Sequence, residues 1–364
     1  MERKHKLILV IGLISLSLLT IIFVTILFCR RRKTGNVNRD MEEAELECKE
    51  VDVVVNTADL IKFHGGEDLT VHEILDAPGE VIGKSSYGTL YKANLVNINS
   101  ITLLRFLRPT CTLRSKEVMP IVEMLGSMRH QNLVPLHAFY AGSRGEKLMV
   151  HPFYGLGNLA QFIKDGKGEA HKWPTICKIS IGIARGVNHL HTSLEIPIIH
   201  GNLKSKNILL DHYYQPYVSD FGLHLLMNPS VAQQILETSS SQGYKAPELI
   251  KMKDANEESD IYSLGVILLE LLSGKEAINE NPIPGQDFYL PSVMRSAILD
   301  DRISDLYHDD ILLGVSNDRR VVIEDGILKY FQLAMACCSP SRSLRPDMKQ
   351  VLGMLEEIEK VSLL

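Results

Sequence analysis

The segment Gly83-Lys84-Ser85-Ser86-Tyr87-Gly88 is the first place in this 364-residue chain where residue types and spacing suggest chemistry. A glycine turn between two strands leaves the backbone free to lie over phosphate groups. Read alone, the same segment fits an ordinary hairpin turn. Downstream come Ile198-Ile199-His200-Gly201-Asn202-Leu203-Lys204-Ser205-Lys206-Asn207, then Asp220-Phe221-Gly222 and Gly243-Tyr244-Lys245-Ala246-Pro247-Glu248. Ser259-Asp260-Ile261-Tyr262-Ser263-Leu264-Gly265 and Arg345-Pro346-Asp347-Met348 follow. Each motif is weak by itself, and their order and spacing carry the signal. Metal chemistry lacks such support. The six cysteines, at 29, 48, 111, 177, 337 and 338, form no CxxC or His/Cys ligand spacing. His137, His189, His191 and His224 show no ligand pattern either. Cys337 and Cys338 read as core packing, and Trp173 as an anchor at a helix start.

The elements that must position these residues read as β first and helical later. β-like runs fall at Val81–Ile82, Thr89–Ala93, Ile101–Leu107 and Lys147–Phe153, with one helical stretch near 114–128. Thr70 with Glu73 fits a capping box opening a short helix through Ile74 and Leu75. From about residue 155 the pattern turns mainly helical. Ile261–Leu272 is apolar nearly all round, which predicts a helix inside a core, with Gly274 just past its end. After Pro346, Met348, Val351, Leu352, Leu355 and Ile358 mark one buried face of a last helix.

Composition places the chain among ordinary globular proteins, at 45% apolar and 23% charged residues, and argues against wholesale disorder. Its net charge of −5 conceals a division. Residues 1–33 carry +6 and residues 34–71 carry −7, while the remainder is close to neutral for its length. No basic field covers the folded part, which argues against a nucleic-acid partner. Leu7 to Cys29 is a run of 23 residues without a charge, flanked by Arg3, Lys4 and Lys6 before it and Arg30–Lys33 after it. That is long enough to span a bilayer and too long for the apolar region of a cleaved signal peptide. The four charges after the span place that side in the cytoplasm. The resulting division is a flank at 1–6, a transmembrane helix at 7–29, a basic then acidic linker at 30–65 and a folded domain at 66–364. With six residues ahead of the span, no ectodomain is expected.

Taken in order, the motifs resemble the protein-kinase fold, and most closely the cytoplasmic domain of plant receptor-like kinases. The nearest type is the transmembrane-kinase-like branch, kinase-like relatives of the leucine-rich-repeat receptor kinases. Gly65-Gly66-Glu67-Asp68-Leu69-Thr70, His130-Gln131-Asn132-Leu133-Val134-Pro135-Leu136 and the stretch from Ala334 to Pro340 add to the likeness, which covers roughly residues 60–360. The resemblance implies an α+β, two-lobed fold: a small β-rich N-lobe over about 66–150 and a larger helical C-lobe over about 155–360. It implies ATP and magnesium as cofactors. Gly83 and Gly88 would cover the phosphates, and Pro152 and Tyr154 would bond the adenine from the hinge. Asn207 and Asp220 match the metal ligands, Lys204 the catalytic-loop lysine, and Glu248, Asp260 and Arg345 the structural ties of the lower lobe.

The departures are as specific as the matches. Arg105 stands where the family's strand lysine holds the α- and β-phosphates, and a planar guanidinium is a poor replacement for a compact ammonium. The helix glutamate that pairs with that lysine falls at Ile121, beside Pro120, which is expected to break or shorten the helix. Glu117 or Glu123 would substitute only with a shifted register. At the catalytic aspartate stands Asn202, whose amide cannot take a proton; such a group typically contributes about 10²–10⁴-fold in rate. Gly201 replaces the neighbouring arginine, and Ser85 occupies the second glycine position of the loop. Thr238 and Ser239–Ser241 remain modifiable without that internal reader.

The resemblance with these losses implies a membrane-anchored pseudokinase at the plasma membrane. It would act as a non-catalytic partner or scaffold for other receptor-like kinases or signalling proteins, with weakened ATP and magnesium binding. The alternative is a slow but genuine Ser/Thr kinase that transfers the ATP γ-phosphate to protein hydroxyls.

Overall fold

The computed structural model describes residues 59–363, leaving out 97–98, 166–167, 251–254 and 280–287. The span expected at 7–29 and most of the linker lie outside the described residues. Among those described, no helix is long and apolar enough to cross a membrane.

The first half folds as an antiparallel sheet of six strands in the order β1-β5-β6-β4-β3-β2. These are β1 (Asp59–Lys62), β2 (Gly79–Lys84), β3 (Gly88–Leu95), β4 (Ser100–Leu107), β5 (Ala138–Ala141) and β6 (Lys147–Pro152). β1 lies inside the stretch 30–65 read as linker, so that its last residues pair with the sheet. Leu60 and Ile61 alternate between the apolar clusters on either side of the sheet, which the acidic surroundings had masked. β5 was likewise too short to read from periodicity. The capping box holds: α1 (Val71–Asp76) starts at Thr70, whose side chain accepts from the Glu73 N–H while Glu73 reaches back.

Strand alternation sorts the sheet into two faces. Leu104, Leu148 and Val150 face the small cluster under α1, whereas Leu103, Arg105 and Met149 face the cleft. Across the cleft side lies α2 (Ser115–Ser127), with Val118, Val122 and Leu125 buried. Pro120 sits within α2 and the helix runs on to Ser127, contrary to the expected break. The proline removes a single N–H, and buried side chains on both sides of it hold the helix together.

The second half is helical: α3 (Leu159–Asp165), α4 (Trp173–Thr192), α5 (Pro229–Ser241), α6 (Glu257–Ser273), α7 (Leu290–Leu299), α8 (Asn317–Cys337) and α9 (Met348–Leu363). α6 is the buried centre: every residue from Ser259 to Ser273 is enclosed, and Gly274 closes the helix at φ 68°. Cys337 and Cys338 pack in the same core, and Trp173 is buried at the start of α4 with its indole N–H donating to Ser362 Oγ at 2.8 Å. On α9, Met348, Val351, Leu355 and Ile358 are buried, as the spacing predicts, while Leu352 is half-buried against the same core.

A hairpin of β7 (Ile208–Leu210) and β8 (Pro216–Val218) lies between the halves. It is pinned to the segment after α2 by backbone bonds from Val218 N–H to Asn132 C=O (2.8 Å) and from Val134 N–H to Val218 C=O (2.9 Å). The motif residues 200–207 lead into this hairpin, and Asp220 leaves it.

Candidate active site

Between sheet and helices lies a cavity of about 370 Å³. Its walls bring together Gly83, Gly88, Arg105, Lys204, Asn207 and Asp220 from distant parts of the chain. The hairpin explains two of them: Ser219 donates from both its N–H and its hydroxyl to the Asn207 carbonyl, at 2.8 and 2.9 Å, which fixes Asn207 beside Asp220. The glycine segment is both things the sequence allowed. Ser85 N–H closes a hairpin turn onto Gly88 C=O at 2.9 Å, and that turn roofs the cavity. At Gly88 no side chain fits, since a Cβ would stand 2.5 Å from the Phe106 carbonyl oxygen on β4.

The hinge residues follow directly on the cavity wall. Pro152 ends β6 opposite Thr102, and the ring of Tyr154 packs on that of Tyr217 at 4.2 Å. His151 is the wall residue at that end. Its Nδ1 lies 2.9 Å from the Pro135 carbonyl, and burial depresses its pKa to about 4, so the ring is neutral near pH 7.

The decisive contact is at the cationic end. Arg105 Nη2 donates to Asp220 Oδ1 at 2.5 Å, with both side chains largely buried at 13% and 14% exposure. Burial works against the guanidinium's charge, but the Asp220 carboxylate and Tyr87 raise its pKa above the ordinary value. Tyr87, folded in from the glycine turn, lies against the same pair; burial and the Asp220 charge push its phenol pKa upward. Asp220 holds φ +63°, a left-handed conformation uncommon outside glycine. Lys204 is nearby, its pKa lowered by burial against the pull of Asp220. Ile121 packs apolar surface on the core. Glu117 caps its own helix by accepting from Arg114 N–H at 3.1 Å, and Glu123 is exposed. Among the described residues neither glutamate forms an ion pair with Arg105.

Asn202 is buried, and its Oδ1 has no hydrogen-bond partner. Its carbonyl accepts from Asn207 Nδ2 at 2.9 Å, which fixes the Asn207 amide on the loop and leaves its Oδ1 uncommitted. Asp260 holds that loop from below, accepting from His200 N–H at 2.7 Å, Gly201 N–H at 2.9 Å and His191 Nε2 at 3.0 Å. Burial acts to raise the Asp260 pKa, but its bond with His191 and the nearby histidines hold it below the usual range. Arg345 grips Glu248 with two bonds of 2.7 Å. Glu248, Asp260 and Arg345 all lie outside the cavity.

The segment after Asp220 crosses the front of this site. Leu113 N–H donates to Leu226 C=O (3.0 Å) and Asn228 N–H to Cys111 C=O (2.9 Å), and from there α5 begins. Gln234 on α5 accepts from Ser86 Oγ of the glycine turn at 3.1 Å. Ile235 and Leu236 bury themselves against the lower lobe. Leu236 and His224 fill the space beside Gly201, where even a Cβ would come within 3.1 and 3.3 Å of them. The sequence reading missed α5 and Tyr87. Asn228 followed by Pro229 is a helix-start signal that would have found α5: Asn228 Oδ1 accepts from Val231 N–H at 3.0 Å.

Residues 77–355 match the protein tyrosine and serine/threonine kinase family. The chain belongs to the protein kinase family. Among its relatives is the kinase-like protein TMKL1 of Arabidopsis thaliana, 39% identical over 354 residues, covering 96% of this chain and 52% of the relative. The chain thus spans about half the length of that relative. Two solved kinase-fold structures are similar at 30% identity. The AMP-PNP-bound kinase domain of maize SIRK1, a sucrose-induced receptor kinase, matches with TM-score 0.71 over 83% of this chain and 100% of that one. The pseudokinase domain of BIR2, an immune regulator of the RLK/Pelle family, matches with TM-score 0.63 over 77% of this chain and 81% of that one. The two-lobed kinase architecture and the receptor-like kinase kinship expected from the motifs therefore stand.

Proposed function

We propose that the chain is a membrane-anchored, kinase-like signalling protein that holds a nucleotide cleft without transferring phosphate. In this reading it serves as a non-catalytic partner or scaffold for receptor-like kinases. The observation that carries it is the Arg105–Asp220 ion pair. Phosphoryl transfer depends on positioning and on neutralising charge around the transferred group. Here the carboxylate that would clasp a metal is already satisfied by the residue that would hold phosphates. The neutral amide of Asn202 adds the loss of a proton acceptor, typically about 10²–10⁴-fold in rate. Membrane anchoring rests on the Leu7–Cys29 run, with the linker up to residue 58 joining it to the folded part. Plasma-membrane residence and receptor-kinase partners are supported by the kinship with receptor kinases and with BIR2.

A slow Ser/Thr kinase is the second reading, favoured by Lys204, Asn207 and Asp220 lining one cavity. Full-length chain in detergent micelles, incubated with labelled ATP, magnesium or manganese, and a general protein substrate, separates the two. Transfer at the level of an Asp220→Ala control is expected. Transfer well above that control establishes the second reading.

A further inference from the structure

A divalent ion at this site needs the Asp220 oxygens, and magnesium demands close octahedral oxygen ligation at about 2.0–2.1 Å. Asp220 Oδ1 is instead held at 2.5 Å by Arg105 Nη2. An ion at the remaining Asp220 oxygen would share the carboxylate with the guanidinium and sit beside it, a like-charge arrangement in a largely buried place. The residues present do not fit the metal.

They do fit an anion. Lys84, Arg105, Lys204 and Lys206 line the cavity against one carboxylate, Asp220, so four positive side chains surround a single negative one. At the other end the walls are apolar, with Leu103, Val134, Met149 and Leu209 offering a slot for a planar base. Arg105 has donors beyond the one given to Asp220, and a guanidinium can serve a carboxylate and a phosphate together.

We propose that the cleft binds a nucleoside triphosphate as the metal-free polyanion, with Arg105 standing in place of the divalent cation. This deepens the reading of a cleft that does not transfer phosphate. Because binding is measured apart from transfer, the two can fail independently. Chelated with magnesium, a triphosphate presents less negative charge to a cationic site, so added magnesium weakens binding here, opposite to a metal-dependent site.

The test is isothermal titration of the full-length chain in detergent micelles with ATP, in EDTA and in excess magnesium, for the native chain and two variants. The native chain is expected to bind ATP in EDTA and to bind it severalfold more weakly with magnesium. Asp220→Asn removes the one opposing charge and is expected to tighten binding in EDTA. Arg105→Met is expected to weaken it about tenfold or more, the scale of losing a charge-assisted contact. Binding that requires magnesium, loss of binding in Asp220→Asn, or no binding of ATP at millimolar concentration in EDTA would each overturn the proposal. Inorganic tripolyphosphate is the second probe. Binding weaker than that of ATP is expected, and equal affinity would overturn the assignment to a nucleotide.

Discussion

Above and below residues 200–207 the chain treats its charged groups in opposite ways. Below, Asp260 accepts three hydrogen bonds, and Arg345 spreads its guanidinium over Glu248, the Glu258 carbonyl and the Ser339 carbonyl. Each of these groups ties together segments distant in the chain. Above, in the cleft, Arg105 and Asp220 satisfy one another, and Asn202 leaves a buried oxygen without a partner. Burial of charge is tolerated only where partners are supplied. The lower network is supplied by the backbone of the loop it supports. In the upper pair the two side chains supply one another. The difference teaches that the loop's geometry and the loop's reaction rest on separate residues, so the first can stay intact while the second is lost.

Breaking the lower side should have the largest effect. Arg345→Ala leaves Glu248 and two carbonyls without their donor and removes the stacking over Tyr262, whose ring lies 4.9 Å away. Removing one partner of a buried pair typically destabilises by about 3–5 kcal/mol. Thermal melting of the variant should show a drop of that scale. A drop no larger than that of Asp220→Ala would erase the contrast between the two regions.

The lower side also sets a pH dependence. Glu270, behind the loop, accepts from the Tyr244 hydroxyl at 2.8 Å, and burial pushes its pKa up to about 8. In the unfolded chain its pKa is near 4.5, so the folded state holds an extra proton between those values. Its contribution is full below pH 4.5 and is lost as pH rises through about 8. Glu270→Gln keeps a hydrogen-bonding partner for Tyr244 and cannot titrate. The melting temperature of the native chain relative to this variant should fall across that window, by the equivalent of a few kcal/mol. Parallel curves for the two proteins would mean that Glu270 is charged in the fold.

Gly201 marks the boundary between the regions. Its φ of +72° suits glycine, and Leu236 and His224 occupy the adjoining space. Restoring the family's arginine by Gly201→Arg is expected to destabilise by about 1–3 kcal/mol, through backbone strain and displacement of Leu236. Hydrogen exchange should quicken along α5 more than along α6. Unchanged exchange in α5 would show that Leu236 does not hold that helix in place.

Much of this arrangement was legible in the sequence, and what was not has physical causes. The buried helix α6, the capping box at Thr70 and the strands carrying Arg105 follow from local periodicity, which operates over a few residues. Ile121 and Asn202 could be placed by their motif neighbours. The Arg105–Asp220 bond joins positions 115 residues apart, so no local pattern encodes it. Pro120 was misread because propensity weighed its missing N–H without the burial of Val118 and Val122 beside it. β1 was hidden because a four-residue edge strand gives too little alternation to stand out from an acidic linker. The packing of the Tyr154 ring on Tyr217 joins positions far apart in the chain, so no local pattern encodes it either.

The smallest effect is expected where the sequence departs most visibly. Asn202→Asp returns the proton acceptor, worth about 10²–10⁴-fold when the rest of a site is assembled. Here Arg105 bonds the Asp220 carboxylate at 2.5 Å, and Ile121 offers no charge to draw the guanidinium away. A base improves only a phosphoryl group that is already aligned, so labelled-ATP transfer should stay at background in this variant. Effects of groups that act as a unit are non-additive, and restoring one member of a broken set recovers little. The sharper experiment adds Arg105→Lys and Ile121→Glu to Asn202→Asp, which frees Asp220 and gives the lysine its partner. Transfer appearing only in the triple variant would locate the barrier in the upper ion pair. Rescue by Asn202→Asp alone would mean that the pair opens freely, and the upper region would then differ from a working kinase by a single amide.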